Sequence, residues 1–278
     1  MKLLVRVLAP LVLVVGSVNV ATSQSELTFD VVSIKEDRSE TSTSPMSVTP
    51  RSLAFLSVTA AGLLRWGYDL TRREVVGGPE WINTVRFTVR GTTTRDTLAP
   101  EFREMVRSVL RTRFRMDAEF ETQEDQPIYR LTRAHADGRL GPAMSPAPFG
   151  CKRDGTAPIA TQLATALPES CSIGTSFNAG GLIAITGLNS TMAELARTLT
   201  RRQEFDRPVV DFTGLEGEYT FHVSLRNQGP DQAAPADPVA VSAAWFSALS
   251  EQLGLRLQAS RGPIRVLRVR SIERPTED

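Results

Sequence analysis

A constant offset of 132 positions lays two stretches of this chain over each other without a gap, and that match constrains the fold more than any other feature. Thr59 falls on Thr191, Leu63 on Leu195, Arg65 on Arg197, Phe87 on Tyr219, Thr88 on Thr220 and Val89 on Phe221. In the first stretch Leu53–Leu56 reads as a strand, and Thr59 opens a helix with Ala60, Leu63, Leu64 and Gly67 at helical spacing. In the second, Leu182–Thr186 reads as a strand and Thr191 opens a helix with Met192, Leu195, Ala196 and Leu199 on one face. Thr191 and Glu194 stand at capping-box spacing, where a hydroxyl and a carboxylate satisfy the exposed amides of a helix start.

The rest of each stretch follows one plan. Helix breakers come next, Gly77-Gly78-Pro79 in one and Thr213 to Gly217 in the other, and then the alternating strands Arg86–Arg90 and Glu218–Leu225. A second amphipathic helix carries Phe102, Met105, Val106, Val109 and Leu110 in the first copy, and Trp245, Phe246, Leu249 and Leu253 in the second. Two strands are expected to close each copy: Met116–Phe120 then Pro127–Leu131, and Leu255–Ala259 then Pro263–Leu267. The prediction is an α+β fold of two tandem strand-helix-strand-helix-strand-strand units, their helices packed on mixed β-sheets.

The expected divisions are a signal peptide at 1–23, a first unit at 24–134 with an extra strand near Leu27–Ile34, a connector at 135–180, and a second unit at 181–278. The signal reading rests on Lys2 and Arg6, the apolar run Leu8–Val20 and the small residues Ala21-Thr22-Ser23. A retained anchor is the alternative, and the chain should otherwise be soluble in the periplasm or outside the cell. Residues 227–238 form a Pro- and Ala-rich insertion. The connector holds both cysteines, and in an oxidising compartment Cys151 and Cys171 are expected to form a disulfide, which the chain-entropy model values at about 3 kcal/mol. Neither has a histidine close by in sequence, so no metal and no organic cofactor is expected.

Lys and Arg number 32 against 31 Asp and Glu, which removes the whole-molecule charge argument for a nucleic-acid partner. Any charge-based function must be local. The strongest local feature is Arg103, Arg107 and Arg111, three like charges at i, i+4 spacing, where repulsion costs a few tenths of a kcal/mol per pair, at roughly 0.2–0.5. They form either a solvated face neutralised by Glu101, Glu104 or a neighbouring strand, or a candidate binding surface for an acidic partner: another envelope protein, an anionic glycan or a phospholipid headgroup.

Other candidates are weaker. Asp211-Phe212-Thr213-Gly214 is similar to an aspartic-protease loop, but the first copy has no matching aspartate, and a strand-ending turn explains it better. His222 alternates with Phe221 and Val223 and should face solvent, whereas His135 sits in the connector near Asp137. Trp66, Tyr68 and Trp81 are expected in the core rather than on a carbohydrate platform. No catalytic residue is assigned.

Five ordered segments resemble a family. Phe29 to Lys35, Val76 to Trp81, Arg111 to Met116, Pro208 to Gly217 and the tail Glu273 to Glu277 look like the soil-associated family of uncharacterised exported proteins expanded in acidobacteria. The resemblance implies a domain with no established function and no catalytic residues to carry over. Gly67 departs from the family pattern, in which alanine precedes the tyrosine. The repeated unit is also similar in pattern to the short N-terminal interaction domains of secretins and TonB-dependent receptors, and related domains accompany membrane metallopeptidase sensors. Both likenesses imply interaction rather than catalysis. The expectation is a non-catalytic exported binding module. The alternative is an extracytoplasmic hydrolase with its site between the copies.

Overall fold

The computed structural model describes residues 27–39, 45–147, 171–177, 181–226 and 238–276. The expected signal, Cys151 and nearly all of the 227–238 insertion lie outside these residues. The first half of the chain runs β1 (Val31–Glu36), β2 (Met46–Thr49), β3 (Ser52–Thr59), α1 (Ala60–Tyr68), β4 (Val75–Gly77), α2 (Trp81–Thr84), β5 (Arg86–Thr92), α3 (Ala99–Thr112) and β6 (Asp117–Arg133). The second runs β7 (Met144–Pro146), β8 (Ser172–Phe177), β9 (Leu182–Ser190), α4 (Met192–Thr200), β10 (Val209–Asp211), β11 (Tyr219–Arg226), α5 (Pro238–Ala248) and β12 (Leu255–Ser271). The α+β class holds.

Local chemistry starts the helices where the sequence suggests. Thr59 caps α1 by accepting from the Gly62 amide at 3.1 Å. At α4, Thr191 Oγ1 accepts from the Glu194 amide while Glu194 reaches back to the Thr191 amide at 2.8 Å. Each cap aims an apolar stripe at a sheet, Leu63 and Leu64 in α1 and Leu195 and Leu199 in α4, all fully buried. Gly67 serves a contact: a methyl there would sit 3.3 Å from Val106 Cγ1, so glycine lets α1 and α3 close on each other.

Two four-stranded antiparallel sheets have the same layout, β1-β5-β3-β2 and β7-β11-β9-β8. In the first, Phe55 pairs with Val89 and Val58 with Phe87 across a bulge; in the second, Gly187 pairs with Phe221 and Ser190 with Tyr219 across another. The bulges place Ser57 and Asn189 at positive φ, 61° and 46°. Every one of these residues has its counterpart 132 positions away. The region read as a loop-rich connector contributes β7 and β8 to the second sheet. These strands are short and nearly uncharged and show no alternation of burial, so nothing in their pattern marks them as strands.

The third sheet, β10-β6-β12-β4, joins the halves. Where two strands were expected at the end of each unit, there is one strand of 17 residues, β6 and β12, and these pair antiparallel along their length. Prolines 127 and 263 do not break them: Pro263 falls in the bulge where the register passes from Gly262↔Gln126 to Ile264↔Gln123, and Pro127 stands one pair before it, opposite Arg261. β4 adds in parallel at Leu267–Val269 of β12, and β10 adds in parallel at Tyr129–Leu131 of β6.

This ribbon carries each strand from one core into the other. Leu131, near the end of β6, is fully buried in the core of α4, α5 and the β9–β11 sheet, beside Leu255 and Leu257 of β12. Leu267, Val269 and Ile272, near the chain end, are buried in the core of α1, α3 and the β3–β5 sheet. The first lobe is therefore completed by the last residues of the chain, and the second by residues that precede position 134.

Candidate functional site

The Arg103–Arg107–Arg111 stripe lies on α3, and two of its three arginines pair within the helix. Arg107 meets Glu104 at 2.5 Å, and Arg111 reaches the other oxygen of Glu104 at 3.1 Å. Arg107 also lies over the Tyr68 ring, 5.5 Å from its centroid. Arg103 turns instead toward α1, stacks over Trp66 at 5.4 Å and meets Asp69 at 2.6 Å. The neutralising residue on the helix is Glu104. Glu101 caps the start of α3 by accepting from the Leu98 amide and pairs with Arg95.

Asp69 is the centre of the arrangement. It ends α1 in the left-handed conformation, φ 57°, where the last carbonyls of the helix lack intrahelical donors. Arginines supply them: Arg103 donates to Trp66 O at 3.0 Å, and Arg197 donates to Asp69 O. The carboxylate then takes Arg103 and Arg201 on Oδ1, at 2.6 and 2.7 Å, and Arg197 on Oδ2 at 3.1 Å. Arg103 belongs to the first lobe, while Arg197 and Arg201 belong to α4 and its C-cap in the second.

Three guanidinium groups thus converge on one carboxylate between lobes, with side chains 34–47% exposed. Burial works to raise the Asp69 carboxyl, but the charges of Arg201, Arg103 and Arg197 outweigh it and hold the group below its ordinary value of 3.8. A depressed carboxyl contributes stability that is full above the unfolded value and is lost as pH falls through the folded one. Between pH 7 and pH 3, Asp69→Asn should therefore lose less stability than the native chain, as read by urea denaturation at each pH; parallel curves would show that the cluster contributes nothing.

Sequence reasoning named Arg103 but missed Asp69 and Arg201. A signal was available, since these two residues occupy equivalent places under the 132 offset and carry opposite charges. An arginine and an aspartate at matched helix ends can pair where two such ends meet.

The remaining candidates serve structure. Asp211 Oδ1 accepts from the amide and the hydroxyl of Thr213, at 2.9 and 2.8 Å, and the Thr213 oxygen accepts from Leu215, which builds the turn after β10. His222 is exposed on β11 as expected, with Nδ1 2.9 Å from Thr186 Oγ1. Trp66, Tyr68 and Trp81 pack against the first core, with edge contacts Phe55–Trp66 at 5.2 Å, Tyr68–Phe120 at 6.0 Å and Trp81–Phe87 at 6.3 Å. Cys171 directly precedes β8, and no free cysteine occurs among the described residues. Among the described residues no group of three His, Cys, Asp or Glu could hold a metal ion, and no helix is long and apolar enough to cross a membrane.

No curated protein and no solved structure matches the chain. A family model described as "Protein of unknown function (DUF3738)" matches residues 61–272, a span from α1 to just past the end of β12 that takes in both cores and the Asp69 cluster. With more than half of its length matched, the chain belongs to the DUF3738 family of proteins of unknown function.

Proposed function

We propose that this protein is a non-catalytic, exported interaction module of the cell envelope, built from two copies of one α+β unit, and that it contacts an acidic partner through the junction of its lobes. The observation that carries the reading is the convergence of Arg103, Arg197 and Arg201 on Asp69, which leaves two positive charges uncompensated within the cluster. Half-exposed guanidinium groups gathered at a junction favour carboxylate and phosphate partners, whose oxygens match their planar fork, over neutral ones. Export rests on the Lys2–Ser23 pattern, and a Cys151–Cys171 disulfide fits that compartment. The likeness in pattern to secretin and TonB-receptor interaction domains points the same way.

The test is capture from an envelope extract on immobilised protein. The native chain should retain a partner that is released by salt of about 0.5 M, where screening shortens electrostatic reach to a few ångströms, and that is not retained by the Arg197→Gln, Arg201→Gln double variant. The hydrolase alternative would draw on the contact between Thr186 and His222. Turnover of an ester, peptide or glycoside that disappears in Thr186→Val or His222→Gln would favour that alternative and sink the module reading.

A further inference from the structure

Each arginine of the Asp69 cluster keeps donors to spare. Arg103 uses Nη1 for both Asp69 and Trp66 O, Arg201 uses Nη2, and Arg197 uses Nε and Nη2. A guanidinium has five N–H groups, more than these contacts use, and the three side chains are 34–47% exposed. The backbone dipole at the end of α1 offsets only about half a charge. Nearby on the ribbon, Arg265 of β12 lies over the Phe120 ring, 3.9 Å from its centroid. Phe120 in turn touches Tyr68, the residue before Asp69.

We propose that the cluster of Arg103, Arg197 and Arg201 binds an oxyanion carrying at least two negative charges, a phosphoryl group or a pair of carboxylates, with Asp69 as the internal anion that it supplements. This inference rests on the interaction reading above and names the chemistry of its partner. Binding requires both lobes, because Arg103 comes from one and Arg197 and Arg201 from the other. Asp69 has two roles in this arrangement. It holds the arginines together, and its charge opposes an incoming anion.

That duality gives a test with opposite signs. Binding of inorganic phosphate, pyrophosphate and citrate to the full chain is measured by calorimetry and thermal shift, against sodium chloride of equal ionic strength. Pyrophosphate or citrate should bind and raise the melting temperature, and a preference between the two identifies a phosphoryl or a carboxylate ligand. Arg201→Gln should weaken binding about tenfold, the usual effect of losing one charge-assisted hydrogen bond. Asp69→Asn should tighten it, and asparagine is suited to the left-handed position that Asp69 occupies, so the helix end is retained. No binding beyond the chloride control, or equal binding by the native chain and Arg201→Gln, overturns the proposal. If that result comes together with salt-sensitive capture from the envelope that the double variant loses, the interaction reading stands and the oxyanion site falls.

Discussion

Replacing Leu267 by alanine is expected to loosen the first lobe, although Leu267 stands 11 positions from the chain end in what reads as the second unit. Its side chain is 1% exposed in the core of α1, α3 and the β3–β5 sheet. Truncating a buried leucine costs the lost transfer energy plus the cavity, about 2–5 kcal/mol. Hydrogen exchange should show the loss of protection in β3 and β5 ahead of β9 and β11. The reciprocal change, Leu131→Ala, should act on β9 and β11, because Leu131 is buried in the other core. If each substitution loosened only the lobe nearest in sequence, the exchange of strands through the β6–β12 ribbon would be wrong. Such coupling also predicts that neither lobe unfolds alone, a point on which differential scanning calorimetry gives one transition or two.

Trp245→Ala is expected to have an effect of similar size on the second lobe. Trp245 is fully buried on α5, and Arg202 lies over its ring at 4.9 Å. Arg202 itself is 8% exposed and pairs with Glu204 at 2.5 Å. Removing the ring leaves a large cavity, worth about 3–5 kcal/mol, under a buried cation. Trp245→Phe should cost far less, because the indole Nε1 is buried without an acceptor among the described residues and its loss relieves an unpaired donor worth about 1–3 kcal/mol. Chemical denaturation of the two variants separates the readings: equal losses would mean that the indole nitrogen has a partner that phenylalanine cannot replace.

These expectations come from contacts of very different range along the chain. The caps at Thr59 and Thr191 join atoms within three residues of each other, and the apolar stripes of α1, α3 and α4 repeat with the helical period. Such features are legible in one sequence because the interactions that cause them lie within a few residues. The alternation of β5 and β11, and the exposure of His222 between two buried neighbours, are legible for the same reason.

The α+β class, the helix starts, the solvent face of β11 and the burial of Trp66, Tyr68 and Trp81 against the first core were therefore determined by the sequence itself. Only the tertiary structure decided that Pro127 and Pro263 sit inside continuous strands, that Leu131 and Leu267 exchange lobes, and that Arg103 turns from its helix to Asp69 while Arg107 and Arg111 share Glu104. Arg197 and Asp69 are 128 residues apart in the chain, and their ion pair forms because the end of α1 meets α4. Periodicity carries no information about which ends meet: that depends on the packing of two cores along one shared ribbon, and a charge finds its partner only after those cores have formed.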